Sequence, residues 1–204
     1  MRKEHVLWVL VFGTIWGAAE AVGGGVLYRL QVPHSAAVLA VIAFAVLSVA
    51  RVYLPAAGSS TAIAACAMLY KFLNTPFFAC HLLGVLMLGV AYDVFWSGVR
   101  IRNRSISAAL ATYLGFALFA VLATYAFQHP YWAPFGLSKV LQHIFATGSI
   151  AAVANAALVP AWFRLGEALK GRSFAPLAFR SPLAASGTAA VMAALWVLSA
   201  TVTF

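Results

Sequence analysis

Charged residues are scarce in this sequence. Asp and Glu together number four, and charged residues make up 8% of the 204 positions, against about 25% in an average soluble domain. Hydrophobic residues account for 64%, and the mean hydropathy is +0.96. This composition excludes an ordinary soluble domain, and we predict an integral membrane protein. The net charge of +9 comes from basic residues in short gaps between apolar runs, so it indicates topology rather than nucleic-acid binding.

Cysteine and the common catalytic motifs are scarce as well. Cys66 and Cys80 lie in apolar stretches without metal-ligand spacing, so we expect two small buried side chains rather than a disulfide or a metal site. The sequence contains no G-x-S-x-G, H-E-x-x-H, P-loop or paired-carboxylate signature. Nothing in it therefore supports hydrolysis or ATP binding, and we expect a non-enzyme without a cofactor or a metal.

Apolar runs of the length needed to cross a bilayer recur along the whole chain. Crossing about 30 Å of hydrocarbon takes roughly 20 apolar residues in a helix. We predict a single integral membrane domain over residues 1–204, an all-α polytopic transmembrane bundle of six to seven helices with a short third helix. The predicted spans are about 5–29, 35–52, 59–72, 77–96, 107–127, 137–162 and 183–204.

The Lys and Arg residues are distributed unequally between the two ends of these spans. Because basic residues concentrate on the cytoplasmic side, a count of ten against three places the N-terminus in the cytoplasm of a multi-pass cell (inner) membrane protein. The ten are Arg2, Lys3, Arg51, Arg100, Arg102, Arg104, Arg164, Lys170, Arg172 and Arg180, and the three are Arg29, Lys71 and Lys139.

The first span carries a small residue at every fourth position. Gly13, Gly17, Ala21 and Gly25 fall on nearly one face of a helix, and such a face lets a second helix approach closely in a membrane. Glu20 lies beside this groove. A carboxylate at that depth needs a partner or a wet cavity, so it indicates function by default.

Polar and aromatic residues gather in the predicted outer half of the membrane. This mixture of donors, acceptors and ring surfaces is typical of a small-molecule pocket. Asp93, near a helix end and close in sequence to Arg100, is expected to be a solvated interfacial carboxylate. The candidate substrate-binding residues are Glu20, His34, Lys71, Asn74, His81, Tyr131, Trp132, Gln142 and His143.

The first hundred residues resemble the substrate-binding S components of energy-coupling factor transporters. The resemblance rests on the small-residue ladder, the 51–60 stretch Arg-Val-Tyr-Leu-Pro-Ala-Ala-Gly-Ser-Ser, Lys71 at the end of a short helix, and the span that follows. It implies a bundle that captures a small vitamin-like solute or precursor from outside. It also implies partner subunits: a transmembrane coupling subunit, contacted by the ladder Gly13, Gly17, Ala21 and Gly25, and ATPases.

Two other functions are compatible with the sequence. Helix grooves also serve a structural or assembly protein of the membrane. His81 and His143, on separate spans, could be axial ligands of a haem in a redox protein.

Overall fold

The structure, a computed structural model, describes residues 3–73 and 79–171 and, beyond them, Ala194 and Val197. The described residues form α-helices joined by short loops. The predicted span 183–204 lies outside the described residues apart from those two helical positions. The helices are α1 Lys3–Arg29, α2 Ser35–Tyr53, α3 Ser59–Met68, α4 Ala79–Asp93, α5 Arg104–Val121, α6 Gly136–Gln142 and α7 Gly148–Gly171.

Several helices continue into turns of different pitch. A 3₁₀ turn, Leu69–Leu73, extends α3, and π-helical turns, Val94–Val99 and Leu122–Ala126, extend α4 and α5. A third π-helical turn, His143–Thr147, joins α6 to α7 without a loop. π-helical turns are rare in proteins, and those that occur are often found at functional sites.

Within residues 3–73 and 79–171, five helical stretches are long and apolar enough to cross a membrane, and α3 is shorter. The stretches are Glu4–Arg29, Ser35–Tyr53, Cys80–Val99, Arg104–Ala126 and Ala133–Gly171. The all-helical architecture of the described residues and the short third helix are as predicted. Although α3 is short, α3 and the 3₁₀ turn after it connect the two ends of the bundle. The first residue of α3, Ser59, contacts Arg51 near the end of α2. Lys71, in the 3₁₀ turn after α3, contacts Glu20 in the second half of α1.

Glycines allow α3 to lie between α1 and α4. A Cβ added at Gly13 would come 2.5 Å from Cys66 Cβ, and one at Gly17 would come 2.3 Å from the Tyr70 ring. On the other side, a Cβ at Gly89 would come 2.4 Å from that of Ala64. These distances are far below ordinary contact, so the backbones approach closely only because the side chains are absent.

This packing corrects the expected coupling face on α1. Gly13 and Gly17 meet the chain's own third helix, and Ala21 is fully buried. Gly25 borders the cavity described below. The spacing indicated close helix approach, but it carried no information on whether that helix belongs to a partner or to the same chain.

An ion pair joins three elements at the amino-terminal end of the bundle. Arg51 donates to Asp93 Oδ1 at 3.1 Å, to the carbonyl of Ala56 at 2.9 Å and to Ser59 Oγ at 3.1 Å. Asp93 Oδ2 accepts from the backbone N–H of Thr61 at 2.7 Å, which caps the first turn of α3. The expectation of a solvated Asp93 is therefore wrong: this residue is 8% exposed.

Two loops at the same end have identifiable local causes. Gly58 precedes α3 with φ 81°, a left-handed conformation that glycine adopts without a Cβ penalty. Asn103 precedes α5, and its Oδ1 accepts from the N–H groups of Ser105 at 2.9 Å and Ile106 at 3.2 Å. This cap satisfies donors that have no partner within the helix.

Candidate functional site

The centre of the candidate site is a buried ion pair between α1 and the turn after α3. Lys71 Nζ lies 2.8 Å from Glu20 Oε2 and donates to the backbone carbonyl of Glu20 at 2.9 Å. The indole N–H of Trp16 donates to the other carboxylate oxygen at 3.3 Å. Both charged residues are 4% exposed. Two residues predicted separately for the site thus form one unit.

Glycine makes room for the lysine ammonium group. A Cβ at Gly24 would lie 3.2 Å from Lys71 Nζ, a tight approach. Burial of a charge is costly unless it is paired and hydrogen-bonded, and here each carboxylate oxygen has a donor. The pair therefore explains how an acid and a base are retained in an apolar bundle.

A cavity of about 240 Å³ opens beside this pair. It lies at the end of the bundle opposite the amino terminus and is bounded by α1, α2, α4 and α5, with the start of the third π-helical turn. Its size is slightly below the roughly 300–1,000 Å³ typical of pockets for drug-sized ligands. The polar and titratable lining residues are Glu20, Tyr28, Ser35, Lys71, Cys80, His81 and His143.

Aromatic rings form the wall around His143. Its imidazole stacks on Phe116, with ring centroids 4.9 Å apart, and lies 5.4 Å from Phe119. Trp132 makes a T-shaped contact with the same imidazole, with ring centroids 5.0 Å apart. His143 opens the third π-helical turn, so the irregular helix positions it among these rings.

Glycines form much of the remaining wall. Gly24 and Gly25 border the cavity from α1, Gly84 from α4 and Gly115 from α5. A Cβ at Gly84 would lie 3.6 Å from the Phe119 ring, an ordinary contact, so a side chain there would extend beside the cavity. Walls without side chains leave room for a ligand between the helices.

The structure brings together four of the predicted substrate-binding residues. Glu20, Lys71, His81 and His143 all line the cavity, and His81 is exposed. Trp132 is buried and reaches the site through its contact with His143. Residue depth along the spans placed these residues at the same end of the bundle.

The other predicted residues do not border the cavity in the described part of the chain. His34 Nδ1 lies 3.0 Å from Thr147 Oγ1, outside the cavity wall. Tyr131 is exposed, and its ring and carbonyl hold the Lys139 ammonium group. Gln142 is exposed, and Asn74 lies outside the described residues.

Sequence reasoning missed the apolar and glycine parts of the wall. Phe116, Phe119, Gly84 and Gly115 lie in ordinary apolar runs, where nothing in their type separates a cavity wall from a helix contact. Ser35 directly follows His34, and Tyr28 lies near the end of the first span; their closeness to the link between the first two spans was the signal that could have found them.

The site offers little to a metal or a haem. Among the described residues, no group of three or more His, Cys, Asp and Glu is placed to hold a metal ion. His81 and His143 do share one cavity. At about 240 Å³, this cavity is smaller than the pockets of ordinary drug-sized ligands, so it is too small for a haem.

Comparison of the chain with family models, curated proteins and solved structures finds no match.

Proposed function

We propose that this protein is a membrane subunit that captures a small solute in the cavity beside Glu20 and Lys71. The observation that carries the proposal is the meeting of a buried ion pair, two histidines and aromatic rings around one cavity. A convergent set of few polar groups in a mostly apolar pocket is the usual makeup of a small-molecule site.

Charge distribution supports access from outside the cell. Arg51, Arg100 and Arg104 lie at the end of the bundle where α1 begins. The cavity lies at the opposite end of the bundle. Because Lys and Arg concentrate on the cytoplasmic side, the amino terminus is cytoplasmic in this proposal. The cavity then opens toward the outer face of the membrane.

Movement of the solute across the membrane requires partner subunits. The sequence has no P-loop, so energy would come from ATPases acting through a transmembrane coupling subunit, as the resemblance to S components of energy-coupling factor transporters implies. The structure changes one part of this expectation. Since Gly13 and Gly17 pack on α3, the coupling subunit would contact another surface.

A thermal-shift screen of small polar and ring compounds against the purified protein tests solute capture. We expect at least one compound to raise the melting temperature, because a ligand that binds the folded state stabilises it by mass action. His81→Ala, in the cavity wall, should weaken that binding. His34→Ala serves as the matched control, because it removes a histidine at the same end of the bundle but outside the cavity.

Two results would count against capture in this cavity. One is a screen in which no compound stabilises the protein. The other is a binder whose affinity falls in His34→Ala and is unchanged in His81→Ala.

The transport role has a separate test. Protein purified with a mild detergent from its native membrane should bring down a second membrane protein and an ATPase. Recovery of the chain alone, with solute still bound, would retain solute capture and refute the coupling proposal.

A further inference from the structure

We infer that the cavity selects an uncharged planar ring compound that carries a hydrogen-bond donor and an acceptor on one edge. The inference rests on the proposed solute capture and adds the charge and shape of the solute. Three observations carry it: the balance of charge in the wall, the pairing of Glu20 with Lys71 inside the protein, and the arrangement of rings and glycines.

The lining residues balance to zero charge. Of those in the described part of the chain, Glu20 and Lys71 carry formal charges, and they lie 2.8 Å apart. Imidazole is ordinarily uncharged above about pH 6.5, so His81 and His143 add no charge at pH 8. A charged solute would enter this apolar site without a counter-charge.

Glu20 and Lys71 already balance each other's charge within the protein. Glu20 accepts from Trp16 at 3.3 Å and from Lys71, and Lys71 also donates to the Glu20 carbonyl at 2.9 Å. A solute carboxylate would have to compete with Glu20 for the ammonium group. A neutral amide edge instead adds one acceptor for an ammonium proton and one donor to a carboxylate lone pair, and both groups have this capacity.

The remaining wall favours a flat molecule. Phe116, Phe119 and the imidazole of His143 present ring surfaces, and rings of this kind stack on one another with offset or edge contacts. Gly25 on α1 and Gly84 on α4 leave part of each wall without a side chain. A planar ring can therefore lie between the helices with its polar edge toward Glu20 and Lys71.

Three probes of matched shape test the charge selection. Benzamide, benzoate and benzamidinium share one ring and carry zero, negative and positive charge, and the corresponding naphthalene compounds repeat the series at larger size. Binding to the full-length protein at pH 8 is measured by isothermal titration. We expect an amide to bind about tenfold or more tightly than both of its charged counterparts.

Variants of the ion pair should change the preferred charge. Glu20→Gln leaves Lys71 without its counter-charge and should shift the preference toward benzoate, whereas Lys71→Met should shift it toward benzamidinium. The double variant Glu20→Gln/Lys71→Met removes both charges and should again prefer the amide. A purely structural pair would not shift this preference. If a single variant fails to fold, the wild-type protein and the double variant still decide.

Several outcomes would overturn the inference. Tighter binding of benzoate or benzamidinium by the wild-type protein refutes charge neutrality, and an unchanged preference in folded single variants refutes the role of the pair. Failure of all six compounds to bind refutes the planar-ring assignment. Mass spectrometry of solutes retained on purification distinguishes failure of this inference from failure of the proposed function. A retained charged or non-planar solute refutes the inference and leaves solute capture intact. Absence of any retained solute refutes both the inference and solute capture.

Discussion

Replacement of Gly17 by alanine tests the packing on which the candidate site depends. A Cβ at this position would come 2.3 Å and 2.6 Å from two ring atoms of Tyr70 and 3.0 Å from the carbonyl oxygen of Ala67. Ordinary carbon contacts are about 3.5–4.0 Å, so the ring must move by more than about 1 Å. Tyr70 is 6% exposed and donates to Thr14 Oγ1 at 3.0 Å, which restricts that movement.

The expected effect of Gly17→Ala is a net loss of about 1–2 kcal/mol. Overpacking of a tight contact costs about 1–3 kcal/mol, and alanine in a helix recovers up to about 1 kcal/mol over glycine. At roughly 2–4 °C per kcal/mol for a chain of this size, the melting temperature should fall by about 2–8 °C. Because Lys71 follows Tyr70 directly, solute binding should weaken in parallel.

Gly23→Ala is the matched control for this experiment. It makes the same change on the same helix, but the new Cβ would lie 3.5 Å from Leu39 Cδ2, an ordinary contact. Thermal unfolding in one detergent, followed by circular dichroism, compares the two variants. We expect Gly23→Ala to melt at or above the wild-type temperature. Equal melting of both variants would refute the close docking of α3 on α1.

Two further variants test the amino-terminal end of the bundle. Asp93→Asn should destabilise the protein by about 3–5 kcal/mol, because Arg51 keeps its buried charge without a counter-charge. Glu167→Gln, in the exposed pair with Arg104, should cost less than about 1 kcal/mol. Equal losses of stability in thermal unfolding would contradict the burial argument. Asn103→Ala should cost about 1 kcal/mol through loss of the helix cap, and Asn103→Asp should preserve stability, so a stable alanine variant would show that the cap contributes nothing.

The sequence was sufficient to predict helices that are long and apolar enough to span a membrane, and part of the lining of the candidate site. Apolar length and charge gaps marked the helices, and depth along the spans placed Glu20, Lys71, His81 and His143 at one end. These signals are local: each depends on a residue and its neighbours in the chain.

Pairings between helices were harder to predict because a local sequence pattern does not show which faces meet. Asp93 was expected in water, but it lies against Arg51, which is 42 positions away. The spacing of Gly13 and Gly17 predicted close packing of two helices but did not identify α3 as the partner. The same limit applies to Phe116 and Gly84, whose types are common to cavity walls and helix contacts.

Occupancy of the cavity is the central claim, and native mass spectrometry of the purified protein measures it directly. The wild-type protein should carry one small non-covalent adduct. Gly84→Leu adds bulk beside the cavity, so this variant should lose the adduct. Gly98→Leu, where nothing lies within 4 Å of an added Cβ, should retain the adduct. Absence of an adduct from the wild type, or its full retention in a folded Gly84→Leu variant, would contradict solute capture at this site.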